Sequence, residues 1–160
     1  MDWIEVGAQW LHILFGTFWF GGMLFSSFIV IPAVGRMPVE GRGPAMAAVG
    51  SQANRIIPWV ASAAIVLGIL RGTVLGDIHS VSDLGTAYGI EWMVGLVAAV
   101  ATLAWGVWVL NPAARRLAMG PPSPAKVAEM ATVRRDTWIQ MAGFMVIFTT
   151  MILMHYANGG

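Results

Sequence analysis

The stretch from Trp3 to Val34, WIEVGAQWLHILFGTFWFGGMLFSSFIVIPAV, decides the fold of this chain, because no charged residue stands between Glu5 and Arg36. A membrane-spanning helix needs roughly 20 apolar residues, since each residue adds about 1.5 Å against a hydrocarbon core of about 30 Å. The stretch is long enough for one such helix. Asp2 and Glu5 stand where a cleavable signal peptide carries Lys or Arg, so we expect this segment to stay in the membrane.

Three further apolar stretches follow along the 160-residue chain. Hydrophobic residues make up 58% of the sequence and charged residues only 11%, whereas a soluble domain carries about 25% charged residues. Lipid must therefore be the solvent for much of the surface. We predict an all-α integral membrane four-helix bundle, formed by a single domain over residues 1–160, with helices at about residues 3–34, 45–75, 89–115 and 124–157.

Basic residues are concentrated on the side of the first and third predicted loops, where the second and fourth helices are expected to begin before the membrane and project into water. The second loop has only Arg71 at its start, and the two termini have no Lys or Arg. Because Lys and Arg accumulate in cytoplasmic loops, we predict that both termini lie on the outer side of the inner (cytoplasmic) membrane of a prokaryote. The eight basic residues on the predicted cytoplasmic side are Arg36, Arg42, Arg55, Arg115, Arg116, Lys126, Arg134 and Arg135.

The three histidines, His12, His79 and His155, are all expected at the outer end of the bundle. His12 is the strongest candidate for a functional residue, because it lies about three turns into its helix among apolar neighbours. An ionisable side chain at such a position is costly and is generally functional. His79 in a polar loop and His155 near a helix end can both be explained by exposure to water alone.

A haem site is the chemistry that this arrangement favours. The chain has no cysteine, which excludes thiolate metal sites and covalent haem attachment. Two imidazoles from facing helices can bind haem iron axially in a four-helix bundle. We predict haem b with His12 and His155 as iron ligands and His79 as the competitor for the second position. Gly16, one turn after His12, leaves room for a flat macrocycle, and Arg71 is placed to pair with a haem propionate.

Glycine and methionine patterns leave alternatives open. Gly68, Gly72 and Gly76 recur at every fourth residue, and we interpret this stripe as helix–helix packing in preference to cofactor shaping. Thioethers are soft ligands that suit Cu(I), but methionine is also common core filler, which we favour for most of the eleven methionines. A copper-binding or copper-transport protein using the same histidines is therefore the second hypothesis. An accessory membrane subunit without a site of its own is the third.

Part of the first helix resembles a known family. The sequences WLHIL at residues 10–14, FWFGG at 18–22 and IP at 31–32 resemble the first helix of the copper-resistance protein D (CopD-like) family. That family shows an aromatic-x-His element, then Trp-x-Gly-Gly, then a proline at the helix end. The resemblance implies a haem b or copper site that uses His12, and we include Trp19 of the same motif among the candidate cofactor-binding residues.

The general layout is also similar to that of the bacterial four-helix protoporphyrinogen oxidase, a haem-binding protein. That family carries an Arg-x-Phe-x-Tyr-His element after its first helix and a functional lysine on a later helix. Here IVIP stands at residues 29–32, and the only lysine, Lys126, is expected in a cytoplasmic loop. These departures argue against protoporphyrinogen chemistry in this chain.

The sequence as a whole favours a b-type haem membrane protein that transfers electrons, or reacts with a small oxidant, near the outer membrane face. Such a protein would be a haem-dependent membrane oxidoreductase or electron carrier. The expected partners are the lipid membrane, a quinone or a redox partner protein, and a second copy in a homodimer. The formal net charge of +1 does not point to nucleic acid, and we expect no nucleic-acid partner.

Overall fold

The computed structural model describes residues 2–119 and 124–157. The structure is 91% helical and has no strand in these ranges. Four helices are long and apolar enough to cross a membrane. Large apolar side chains such as Phe18, Val97 and Ile152 are exposed on the outside of the bundle, as a lipid-facing surface requires. The predicted all-α four-helix membrane bundle is confirmed.

Helices α1 and α3 are each interrupted by one π-helical turn of five residues. Helix α1 consists of Trp3–Phe25, the π turn Ser26–Val30 and a last turn, Ile31–Gly35. Helix α3 consists of Ala87–Trp105, the π turn Gly106–Leu110 and the segment Asn111–Met119. Both helices therefore have the same order of parts.

A proline accounts for each π turn. Pro32 and Pro112 lie two residues after the π turns of α1 and α3. Proline has no N–H, and its ring clashes with the carbonyl four residues earlier, so the regular α-helical ladder cannot pass through it. In both helices the residue before the proline donates its N–H to the carbonyl five residues back, that of Ser26 in α1 and of Gly106 in α3.

Helices α2 and α4 span Val39–Gly72 and Pro124–Ala157. The predicted range of 45–75 for α2 was wrong at both ends. The helix begins directly after the extended residue Pro38, and Pro44 is accommodated in its second turn instead of its first. It ends at Gly72 because the next N–H groups turn back on the helix: Leu75 donates to the Leu70 carbonyl at 2.9 Å.

The other three helices agree more closely with the predicted ranges. Helix α1 ends one residue later than predicted, and α4 begins and ends where predicted. The placement of Lys126 in a loop was wrong, because this residue belongs to the first turn of α4. Helix α3 is longer than the predicted range of 89–115 at both ends. It begins early because the Thr86 hydroxyl caps it, accepting a hydrogen bond from the Gly89 N–H at 3.0 Å.

The helices pack as two pairs, α1 with α2 and α3 with α4. The second pair is in close contact where glycines meet threonines: a Cβ added at Gly95 would lie 2.7 Å from the Thr150 hydroxyl. The two pairs meet in a core of Trp19, Ala61, Phe144 and Ile147. The Trp19 and Phe144 rings pack edge to face with their centroids 4.8 Å apart.

Candidate functional site

A cavity of about 690 Å³ lies between the helices at the end of the bundle where α1 begins and α4 ends. We call it the histidine cavity and this end the terminal end. Its volume falls within the range of about 300–1,000 Å³ that is typical of small-molecule and cofactor sites. Five of the six residues that the sequence predicts for the site line this cavity, namely His12, Gly16, Trp19, Arg71 and His155.

The His12 ring is held in one orientation by helix α2. Its Nδ1 lies 2.9 Å from the Ala64 carbonyl oxygen. A carbonyl can only accept a hydrogen bond, so Nδ1 donates, and the lone pair of the neutral ring is left on Nε2. The same arrangement, with one ring nitrogen donating to a backbone carbonyl, fixes the tautomer of metal-ligating histidines. His12 is therefore prepared to use Nε2 as a ligand atom.

The glycine stripe of α2 supports ring side chains as well as helix packing. A Cβ added at Gly68 would lie 3.0 Å from His12 Cε1, and one at Gly72 would overlap the Trp92 indole. Trp92 Nε1 also donates to the Gly68 carbonyl at 3.2 Å. Two ring N–H donors, one from α1 and one from α3, thus bind carbonyls on consecutive turns of α2. The sequence interpretation of this stripe as helix packing was incomplete.

Trp92 and Ala64 are site residues that the sequence analysis did not single out for this role. A signal for Trp92 is present in the sequence: it stands 20 residues before Pro112, just as His12 stands 20 residues before Pro32. The two rings therefore occupy matching positions in α1 and α3. Ala64 offers no such signal, because only its backbone carbonyl takes part.

Arg71 brings a positive charge to the wall of the histidine cavity. Its Nε donates to the Gln9 side-chain oxygen at 2.8 Å, and its Nη1 donates to the Leu75 carbonyl at 3.3 Å. These bonds hold the half-buried guanidinium beside the cavity. Gln9 was not among the predicted site residues, and it positions Arg71 from the neighbouring helix α1.

Gly16 and Trp19 shape the cavity from α1. A Cβ added at Gly16 would meet nothing within 4 Å, so this glycine leaves open space beside His12. Trp19 is 4% exposed and packs against Phe144, which lines the cavity together with Phe148 from α4. These apolar walls suit a flat and mostly apolar ligand.

His155 lies at the cavity lining near the end of α4. Its side chain is exposed and contacts the Tyr156 ring, with the centroids 5.7 Å apart. Met151 and Met154 line the same cavity. His12 and His155 are thus brought to one cavity, but only His12 is fixed there by a hydrogen bond from its ring.

His79 is placed outside the lining of the histidine cavity, with its side chain exposed. It lies in the link between α2 and α3, beside a 3-10 turn at Val81–Gly85. The Asp83 carboxylate accepts hydrogen bonds from the backbone N–H groups of His79 and Ser80, at 2.9 and 2.7 Å. A hydrogen bond with the Ser80 side chain, together with these two N–H groups, lowers the pKa of Asp83. His79 as a ligand stays a prediction.

A bare metal ion and a haem need different sets of side chains from a protein. Within residues 2–119 and 124–157, no three His, Cys, Asp or Glu side chains come close enough together to hold a metal ion. A haem does not require such a cluster, because the macrocycle holds the iron and the protein supplies only axial ligands. At this cavity His12 offers one imidazole, Gly16 leaves open space, and Arg71 adds a positive charge.

Comparison with protein families, with curated proteins and with solved structures finds no match for this chain. The resemblance of the first helix to the CopD-like family therefore stays a prediction. The functional argument rests on the site itself.

Proposed function

We propose that this protein binds haem b in the histidine cavity and transfers electrons near the membrane face at the terminal end. The observation that carries the proposal is the hydrogen bond from His12 Nδ1 to the Ala64 carbonyl. That bond fixes the ring and leaves Nε2 with the lone pair that an iron ligand needs. Bound there, haem would supply the reversible one-electron chemistry of its iron.

The chain's own residues then have separate roles. His12 from α1 and His155 from α4 would hold the iron. Arg71, kept in place by Gln9, would neutralise the negative charge of a propionate. The Phe144 wall and the neighbouring apolar side chains would keep water away from the macrocycle, which helps to set the redox potential.

The wider setting follows from the basic residues. We propose that the terminal end faces the outside of a prokaryotic inner membrane, because eight of the nine basic residues belong to the other side. Electrons would pass between the haem and a quinone or a redox partner protein. The homodimer expected from the sequence stays a prediction.

An absorbance spectrum of the purified protein tests the proposal. We expect a Soret band and sharp α and β bands after reduction. The change His12→Ala is expected to remove most of the haem, because it deletes the one ring that the bundle orients. The change His79→Ala is the matched control: it removes an exposed imidazole outside the cavity and is expected to leave haem content unchanged. A His12→Ala protein with full haem content and an unchanged spectrum would contradict the assignment.

Copper is the second candidate, because Met151 and Met154 line the same cavity as His12 and His155. Thioether and imidazole ligands together suit Cu(I). A colourless protein from haem-replete cells that contains copper by elemental analysis would favour this candidate. Absence of both haem and copper would favour an accessory subunit without a site of its own.

A further inference from the structure

A second cavity, of about 430 Å³, lies toward the opposite end of the bundle. We call it the amide cavity, because the side chains of Asn54, Asn111 and Gln140 line it. Trp19 lines this cavity as well as the histidine cavity, so this core residue borders both spaces. None of the predicted haem ligands lines the amide cavity.

Gln140 is the deepest polar group of the amide cavity. It is 7% exposed, and its side chain makes no hydrogen bond to any residue within 2–119 and 124–157. Its amide atoms are accessible from the cavity and are not sealed inside the protein. A Cβ added at Gly106 would lie 2.7 Å from Gln140 Nε2, so Gly106 keeps the space for this amide. A bound partner would supply the hydrogen bonds that this amide does not make within the described residues.

Asn54 and Asn111 add two more amides at the cavity wall. Both side chains are half-buried, and in the described part of the chain neither makes a hydrogen bond. Three amides from three different helices thus converge on one space without using one another as partners. Each amide offers both an N–H donor and a carbonyl acceptor.

The two π turns border the same cavity. Pro32 and Pro112 have no N–H, so neither can donate to the carbonyl five residues earlier, that of Ser27 in α1 or of Val107 in α3. Ser27 and Val107 both line the amide cavity. Single π turns inside α-helices are frequent at functional sites, and here two of them border one cavity.

These groups define the chemistry of the ligand. The deep polar groups are neutral, and the charged lining residue, Arg115, is exposed, so the deep part of the cavity suits an uncharged head group better than a phosphate. They provide donors for carbonyl oxygens and acceptors for hydroxyl groups. The remaining walls are mostly apolar, as Ile57 and Leu103 illustrate, so they suit a flat ring. A quinone, which has two carbonyls when oxidised and two hydroxyls when reduced, matches all three properties.

We propose that the amide cavity binds the head ring of a membrane-soluble quinone, with Gln140 as its main hydrogen-bond partner. A quinone in this cavity would lie on the other side of Trp19 from the haem and could exchange electrons with it. That electron-transfer role rests on the proposed function. Binding itself requires only the amides and the apolar walls.

Titration of the purified full chain in detergent with a short-chain benzoquinone tests this proposal. We expect saturable binding, and about fivefold weaker binding in Gln140→Leu, since one hydrogen bond contributes roughly 1 kcal/mol. Gln52→Leu is the matched control: Gln52 is exposed on α2 and does not line the cavity, so its affinity is expected to equal that of the wild type. Because the Gln140 amide has no partner in the described chain, Gln140→Leu is expected to keep or raise the thermal unfolding temperature.

A second variant, Asn54→Leu, keeps the test decisive if Gln140→Leu fails to fold, and we expect it to bind the quinone several-fold more weakly. Unchanged affinity in the folded variants would overturn the proposal. Displacement of the quinone by an equimolar anionic phospholipid would also overturn it, since that result identifies a lipid site. Haem content is read separately from the Soret band, so a loss of quinone binding with normal haem is distinguishable from failure of the haem proposal.

Discussion

The histidine cavity and the amide cavity differ in how their polar side chains are partnered. In the histidine cavity, His12, Trp92 and Arg71 each donate to an acceptor of the chain itself. In the amide cavity, Gln140 and its neighbouring amides make no hydrogen bond within the described residues. Three polar side chains of the first cavity are thus held by bonds within the chain, whereas the three amides of the second keep their hydrogen-bonding capacity free.

This difference matches two kinds of ligand. A tightly held cofactor benefits from side chains that are fixed before it binds, because less conformational entropy is lost on binding. A ligand that enters and leaves benefits from partners that water or lipid can replace at low cost. The rigid His12 ring suits a resident haem, and the unpaired Gln140 amide suits an exchanging quinone.

The largest effect is expected from a test of which membrane side each cavity faces. The distribution of basic residues predicts the histidine cavity outside and the amide cavity near the cytoplasm. A periplasm-active reporter fused after Gly160 is expected to be active, and the same reporter fused after Met37 is expected to be inactive. A reporter after Gly160 that is active only in the cytoplasm would reverse the assignment of both cavities.

A paired glycine test measures how rigidly the histidine cavity is built. Gly72→Ala would drive a Cβ into the Trp92 indole, whereas a Cβ at Gly16 meets nothing within 4 Å. Overpacking of this kind costs roughly 1–3 kcal/mol, so Gly72→Ala is expected to lower the thermal unfolding temperature in detergent. Gly16→Ala is expected to leave that temperature unchanged or to raise it, since Ala is the better helix residue. Equal stability of the two variants would show that the Trp92 contact is not rigid.

The fold was largely predictable from the sequence because lipid imposes a simple rule of apolar length. The ends of α1 and α4 followed from that rule to within one residue. The start of α2 was not predictable from apolar length, because Pro44 fits a second helical turn as well as a first. The helix instead begins after Pro38, which lies closer to the link between α1 and α2. The end of α2 was not predictable either, since it depends on the hydrogen bond from the Leu75 N–H back to the Leu70 carbonyl.

The histidine cavity was easier to predict from the sequence than the amide cavity, because the two are built from different kinds of residue. His12 and Arg71 are rare ionisable residues in apolar surroundings, so the sequence alone draws attention to them. The amide cavity depends on π turns and on Gln140 being left without a partner. Neither property belongs to a residue type, and both appear only when the helices are packed together. Pro32 and Pro112 were visible, but their effect on the backbone was not.

A smaller effect is expected when a positive charge is removed from either cavity and the haem redox potential is measured. The size of the shift should differ between the two cavities. The Arg71 charge beside the histidine cavity favours the reduced iron, which has one positive charge fewer than the oxidised iron. Arg71→Gln is therefore expected to lower the haem potential, on the order of tens of millivolts for a charge near a partly buried site. Arg115→Gln removes an equal charge from the lining of the amide cavity and is expected to change the potential much less. Equal shifts in a spectroelectrochemical titration would contradict this separation.

The smallest effect is expected in the link that carries His79, at the terminal end but outside the histidine cavity. The Asp83 carboxylate binds the N–H groups of His79 and Ser80, and the hydrogen bonds of this turn lower its pKa below the ordinary value of 3.8. A lowered pKa in the folded state means that the ionised carboxylate stabilises the turn above about pH 4, and that this contribution is lost as the pH falls through the lowered pKa. The NMR amide shifts of His79 and Ser80 are therefore expected to titrate below about pH 4 in the wild type and not in Asp83→Asn. Asp2→Asn, which alters the cap of α1, is expected to leave these shifts unchanged.

The haem spectrum is expected to be the same in Asp83→Asn as in the wild type, because the turn is hydrogen-bonded to its own backbone and does not line the histidine cavity. A changed spectrum in that variant would instead bring His79 back as the second iron ligand.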